Sequence, residues 1–259
     1  NENGKYLICI NKEDVYQIEN PRKGPGVYTD TDLMCGNQAE AYNQLEIDYL
    51  HKVFSLLHLF KEGNIGPKEI FFEHVFSLGI MKNKLNHSSN NVTRNITDNR
   101  MFSLVSDEVL SCNQFLSDYQ GLEYAMLKNS IDEFVWGLEQ VDVGTGFEQF
   151  TTALEMTLLG HNQQGKKEVL SKRVAVILES TPVAIRQMYA RMKTFYRFRS
   201  ESLHEGNGQN ISKAELFELE AIVRRILVNC LERIKQELQT NASVTWSEVK
   251  AMIINDLKS

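Results

Sequence analysis

The chain has 259 residues, of which 42% are apolar and 24% charged, a globular balance that excludes wholesale disorder and allows a sizeable core. A net charge of −6 excludes a uniformly basic nucleic-acid coat and leaves room for a local basic patch. No apolar run approaches the roughly 20 residues of a membrane helix; the longest, Val53 to Phe60, is short and contains His58.

The first 36 residues read as mixed. Lys5 to Ile10 and Val15 to Ile18 fit short strands, and Asn20-Pro21 and Gly24-Pro25-Gly26 are turn signals. Residues 38–62 read as a helix, with Leu45, Tyr49, Val53, Leu56, Leu57 and Phe60 at three- and four-residue spacing and Gly63 as the stop. Glu69 to Leu78 is apolar and aromatic and fits a buried strand, while 82–100, rich in Asn and Ser, reads as an exposed loop. From Ser106 onward the pattern is helical, with helices expected near 106–118, 121–140, 147–160, 166–180, 182–203, 212–239 and 246–257. Thr181-Pro182 is an N-cap followed by proline at the first helical position. Ser212 with Glu215 and Thr245 with Glu248 have capping-box spacing, and Gly206 and Gly208 mark a turn between helices. The expected fold is therefore mainly α: a smaller mixed α/β region over 1–105, sensory or regulatory, then a helical domain over 106–259.

Asn1 in place of an initiating Met fits a processed chain or a piece of a longer one. Cys9, Cys35, Cys112 and Cys230 form no CxxC pair, which fits a reducing, cytoplasmic compartment better than a disulfide framework or a zinc ribbon. The sequons at Asn91 and Asn95 are chance products of an Asn-rich segment. Charge is uneven. Residues 147–259 carry 16 basic and 13 acidic groups, and residues 1–146 carry 12 and 21, so an anionic ligand belongs with the C-terminal part. The acidic N-terminal part is suited to shield it. Gly160 to Lys167 nearly spells a P-loop, but Lys167 takes the hydroxyl position and the preceding segment reads as a helix, so a helix–helix turn is the better reading.

The segment 182–203 carries the strongest signal, with five basic residues and no acidic one between Val183 and Ser200. At about 100° per residue, Arg186, Lys193 and Arg197 fall within about 20° of one line and form a basic stripe. Ile185, Met188, Tyr189, Met192, Phe195 and Tyr196 form an apolar face, and Arg199 falls in the middle of it. A guanidinium there needs a partner or a wet site. Either it pairs with a nearby Glu, or it is held in a cleft to meet a phosphate. His204, five residues on, completes an R-x4-H pattern. Eleven Arg and six His make about one such match expected by chance, so context must carry the claim.

That context resembles a family. Ala153-Leu154-Glu155 in one helix, a basic helix around Lys172-Arg173, Phe195-Tyr196-Arg197-Phe198-Arg199-Ser200 running to His204, a Gly-rich turn and a long final helix together resemble the HEPN superfamily. The closest likeness is to the Apea-like HEPN domains of prokaryotic anti-phage and abortive-infection systems. It covers roughly residues 106 to 240, and Leu56 to Asn64 resembles the segment that precedes such domains. The resemblance implies a HEPN-type helical bundle that homodimerises. Two R-x4-H motifs facing each other would form a metal-independent endoribonuclease site with no cofactor. Carried onto this chain, Arg199 and His204 would be catalytic. Departing from the common pattern, Glu205 stands between His204 and Gly206, and no Tyr lies two residues after the histidine.

The residue types suit the reaction. RNA supplies its own nucleophile in the 2′-OH. Histidine serves as base or acid near neutral pH, and arginine braces the phosphate. Arg186, Lys193, Arg197 and Ser200 would extend the RNA track and Tyr196 would stack on a base. The products would be a 2′,3′-cyclic phosphate and a 5′-OH. Expected partners are RNA, tRNA included, a second copy of the chain, and a phage-derived trigger or an antitoxin, with no membrane. A second reading keeps the fold as an inactive RNA-binding or dimerisation module. A third is an unrelated helical adaptor or sensor. Arg199 and His204 converging on one cleft favours the nuclease; Arg199 held in a core salt bridge favours the module. His51, His58, His74 and His87 read as structural, and Trp136 and Trp246 as core or interface anchors.

Overall fold

A computed structural model of the protein describes residues 36–63, 65, 70–75, 82–87, 100, 102–160, 164–205 and 211–256; for 36–47, 70–75, 82–87, 201–205 and 256 the backbone alone is described. The expected strands at Lys5 to Ile10 and Val15 to Ile18 and the turn at Gly206 and Gly208 lie outside these residues, as do Cys9 and Cys35.

The fold is mainly helical. Its elements are α1 (Gly36–Phe60), β1 (Ile70–Val75), β2 (Lys82–His87), α2 (Ser106–Tyr119), α3 (Leu122–Glu139), α4 (Val143–Leu158), α5 (Lys166–Leu178), α6 (Pro182–Glu205), α7 (Lys213–Thr240) and α8 (Trp246–Asp256). Residues 45–259 form one compact unit, so packing runs across the expected boundary at 105/106. Leu56 and Leu59 of α1 belong to the same core as the later helices. The strands pair antiparallel, Ile70 opposite His87 and Val75 opposite Lys82. Lys82–His87 is thus a strand and not the loop its composition suggests: cross-strand pairing with an apolar neighbour outweighs the poor strand preference of Asn and Lys.

The helices start and stop for local reasons. Ser212 Oγ accepts from the Glu215 N–H at 3.2 Å while Glu215 reaches back to the Ser212 N–H at 2.9 Å, a complete capping box at the head of α7. Thr245 and Glu248 do the same for α8. At α2 only half the device is available: Glu108 accepts from the Val105 N–H at 3.0 Å, and valine has no hydroxyl to answer. Thr181 Oγ1 accepts from the Ala184 N–H at 3.3 Å, with Pro182 opening α6.

The expected helix over 147–160 begins four residues earlier, at Val143. The Asp142 carboxylate caps it, accepting from the Thr145 N–H at 2.7 Å and the Thr145 hydroxyl at 2.9 Å. Gly144 and Gly146 are buried in its first turns.

α4 and α7 are the central helices. α7 packs against α2, α3, α4, α5 and α8, and α4 against α3, α5, α6, α7 and α8. Among the buried residues of α7, Leu216, Leu219, Val223, Ile226, Leu227, Cys230 and Ile234 follow the three- and four-residue spacing of an apolar helix face, with Ile222 and Leu231 widening it. α3 comes very close to α4 at Gly137, where a Cβ would lie 2.7 Å from the Phe150 ring. The Phe134 and Phe150 rings sit 5.5 Å apart beside that contact. α6 docks through Phe195, which meets Phe147 of α4 edge-on at 5.5 Å. Trp246 packs partly buried against the core, whereas Trp136 is 52% exposed.

Candidate functional site: the Arg199 cluster between two helices

α6 is amphipathic as its spacing requires. Met192 and Phe195 are buried in the core, with Met188, Tyr196 and Phe198 packed against it. On the outer side Arg186 and Arg197 are exposed and Lys193 is half-exposed, with its Nζ 3.7 Å from Glu168 of α5. The basic stripe therefore faces solvent, and Ser200 is exposed beside it.

Arg199 projects from the other side, against α4. Its side chain is 18% exposed, and its Nη1 donates to Glu155 Oε1 at 2.7 Å; Glu155 itself is 13% exposed. The Tyr196 hydroxyl donates to the same carboxylate oxygen at 3.0 Å and accepts from Arg199 at 3.4 Å. Lys166 Nζ, at the head of α5, lies 3.7 Å from Glu155 Oε2. One carboxylate thus collects two cations and a hydroxyl. Burial, followed by the charge of Glu155, pushes the Tyr196 phenol above its ordinary range. Arg199 Nε is buried with no hydrogen-bond partner, so part of the guanidinium's donor capacity is unspent. The salt bridge resolves what an arginine on an apolar face does here: it pairs.

The last turn of α4 draws further cations. Its carbonyls lack helical partners and carry the negative end of the helix dipole. Arg173 of α5 donates to the Leu158 carbonyl, and Lys250 of α8 donates to Met156 at 2.9 Å and Leu159 at 2.5 Å. Burial, and then the nearby Arg173, lower the Lys250 amine below its ordinary range.

The structure does not bring every sequence candidate together. Tyr196 lies on the apolar side of α6, away from the stripe of Arg186, Lys193 and Arg197, and its hydroxyl is spent on Glu155. α6 runs unbroken through Glu205, so the backbone does not unwind between Arg199 and His204. Five residues on a continuous helix are separated by about 140° around the axis and about 7.5 Å along it. Glu155 and Lys166 are the residues that reasoning from one helix misses. The available signal was the demand itself: an arginine on an apolar face calls for a carboxylate from a neighbouring element.

Gly160 to Lys167 joins α4 to α5 with no strand before it, which excludes a P-loop. Gly165 sits in the left-handed region, φ 62°, directly before α5. Among the described residues no group of three or more His, Cys, Asp or Glu is arranged to hold a metal ion, and no helix is long and apolar enough to cross a membrane. Cys112 and Cys230 are buried free thiols, and burial pushes the Cys230 thiol up to about 12. Comparison with known proteins yields no match: no protein-family model, no curated protein and no solved structure aligns with this chain.

Proposed function

We propose that the chain is a HEPN-type endoribonuclease, acting in the cytoplasm without metal as a toxin-like effector of phage defence. A homodimer brings Arg199 and His204 of two copies to one phosphodiester. The reading rests on the resemblance of Phe195 to His204 and its flanking helices to that family. The observation that carries it is the basic stripe of α6, with Arg186 and Arg197 exposed and Lys193 half-exposed on the helix that also bears Arg199 and His204. In the dimer, one His204 takes the 2′-OH proton and the other protonates the 5′-oxygen. Arg199 stabilises the charge that builds on the phosphorane. Arg199 and His204 of one copy diverge around the axis of the unbroken α6, so this reading requires a second copy to supply the missing group. Arg186, Lys193, Arg197 and Ser200 guide the strand, and an antitoxin or a phage-derived trigger controls access.

The Arg199–Glu155 salt bridge favours a second reading, in which the same domain binds RNA or dimerises without cutting. Cleavage of total RNA and of tRNA in EDTA by the purified protein separates the two. The nuclease reading expects 2′,3′-cyclic phosphate ends from the parent, and none from folded Arg199→Ala or His204→Ala. Silence of all three with RNA affinity retained supports the module.

A further inference from the structure

The Glu155 carboxylate occupies the place an oxyanion would take. It is the shared acceptor of Arg199 Nη1 at 2.7 Å and the Tyr196 hydroxyl at 3.0 Å, with Lys166 Nζ 3.7 Å from its other oxygen. Two cations and a neutral donor converging on one carboxylate are the donor set that recognises a phosphate. The neighbouring cations have other work: Arg173 and Lys250 are spent on carbonyls at the end of α4. Arg199 and Lys166 have Glu155, and Arg199 Nε has no partner. The cluster carries one net positive charge with Glu155 in place and two without it.

We propose that Arg199, Tyr196 and Lys166 form a phosphate-binding site that Glu155 occupies as an internal latch, which the phosphodiester of an RNA strand displaces. The proposal rests on the reading of Arg199 as a phosphate-handling residue and adds its regulation. Glu155 holds the guanidinium ordered in the resting protein and competes with the ligand for it, so the site engages only a ligand able to replace a carboxylate. Glu155 stands in the last turn of α4, three residues before its C-terminal Leu158.

The test compares the full-length parent with Glu155→Gln, using two probes at constant ionic strength: inorganic phosphate and a non-cleavable 2′-O-methyl oligoribonucleotide. The latch predicts at least a tenfold gain in affinity for Glu155→Gln, abolished in the Glu155→Gln, Arg199→Lys double variant. A gain for the oligonucleotide alone names the strand as the ligand, and a gain for phosphate alone names the free ion; both uphold the latch. Unchanged or weaker binding of both probes overturns it and makes Glu155 a fixed support of Arg199. If Glu155→Gln fails to fold, Glu155→Asp keeps the charge with a shorter reach. A severalfold gain is then expected, and none overturns the proposal. RNA cleavage recorded in parallel keeps the two ideas apart. A gain in phosphate affinity with no cleavage by any variant upholds the latch and removes the nuclease. Arg199-dependent cleavage with no gain removes the latch and keeps the nuclease.

Discussion

Arg199 and Gly137 illustrate opposite solutions to burial. Arg199 sits among Met192, Phe195 and Phe198 on the packed side of α6, and its charge is tolerated because Glu155 and Tyr196 meet it. Gly137 contributes by having no side chain, since a Cβ there would stand 2.7 Å from a buried phenylalanine ring. That ring is backed by Phe134 and cannot easily retreat. Gly137→Ala gains helix propensity but overpacks the α3–α4 contact, so we expect a net loss of about 1–3 kcal/mol in chemical denaturation. A variant as stable as the parent would mean that the two helices separate freely there.

The same contrast shows why the site was only partly legible from the residues in order. Arg199 on an apolar face, the exposed stripe of Arg186, Lys193 and Arg197, and the need for a compensating partner all follow from spacing along one helix. Glu155 does not, because it lies 44 residues away on a helix whose rotation is fixed by Phe147 and Phe150 packing elsewhere. Trp136 shows the reverse limit: a large aromatic residue is most often packed, yet this one is half-exposed on α3.

At the scale of elements, helix starts carry much of the chain's charge logic. Glu108, Glu215 and Glu248 each stand third in a helix, accept backbone N–H groups at its head and are held below the ordinary glutamate range, Glu108 chiefly by its hydrogen bond from Lys61 and the other two chiefly by those backbone groups. Asp118 is held low as well, chiefly by its hydrogen bond from Lys235. Groups with a depressed folded pKa contribute stability above the unfolded value, about 4.3 for glutamate, and lose it as pH falls through the lower folded value. The melting temperature should therefore be level from pH 7 to about pH 5 and fall below about pH 4.3. Glu215→Gln and Glu248→Gln should flatten that fall; an acid profile unchanged by either substitution would show that these caps do not set it. The helices themselves were readable because their periodicity and Ser/Thr-x-x-Glu starts agree, as at Ser212 and Thr245. The start of α4 was not: the helix begins at Val143, four residues before the expected Phe147, where the Asp142 carboxylate accepts from the Thr145 N–H. At Lys82–His87 composition pointed to a loop, and pairing with β1 made a strand.

For the molecule as a whole, a buried ionic cluster joins segments far apart in sequence. Glu220 of α7 is 2% exposed and accepts from Arg100 at 2.8 Å and from Arg224 at 2.5 Å. Arg224 also donates to the His58 carbonyl of α1 at 2.8 Å, and Arg100 stacks over the Phe217 ring, 3.7 Å from its centroid. α1, residue 100 and α7 are thereby tied to one acid. Glu220→Ala leaves the guanidinium groups of Arg224, 12% exposed, and Arg100, 22% exposed, without it, while Arg100 keeps Glu62 at 3.2 Å and Arg224 keeps the His58 carbonyl, and a loss of about 1–3 kcal/mol in urea unfolding is expected. A loss below 1 kcal/mol would mean that water reaches the cluster. The cluster thereby ties residues on both sides of 105/106 into one compact unit.

The proposed cutting of RNA with Arg199 and His204 is tested by the initial rate of tRNA cleavage in EDTA by the parent and by His204→Ala, both shown to be folded. Loss of a positioned acid–base group lowers such a rate by about 10²–10⁴-fold, and a fall of that size is expected. A His204→Ala protein that cuts as fast as the parent would contradict it.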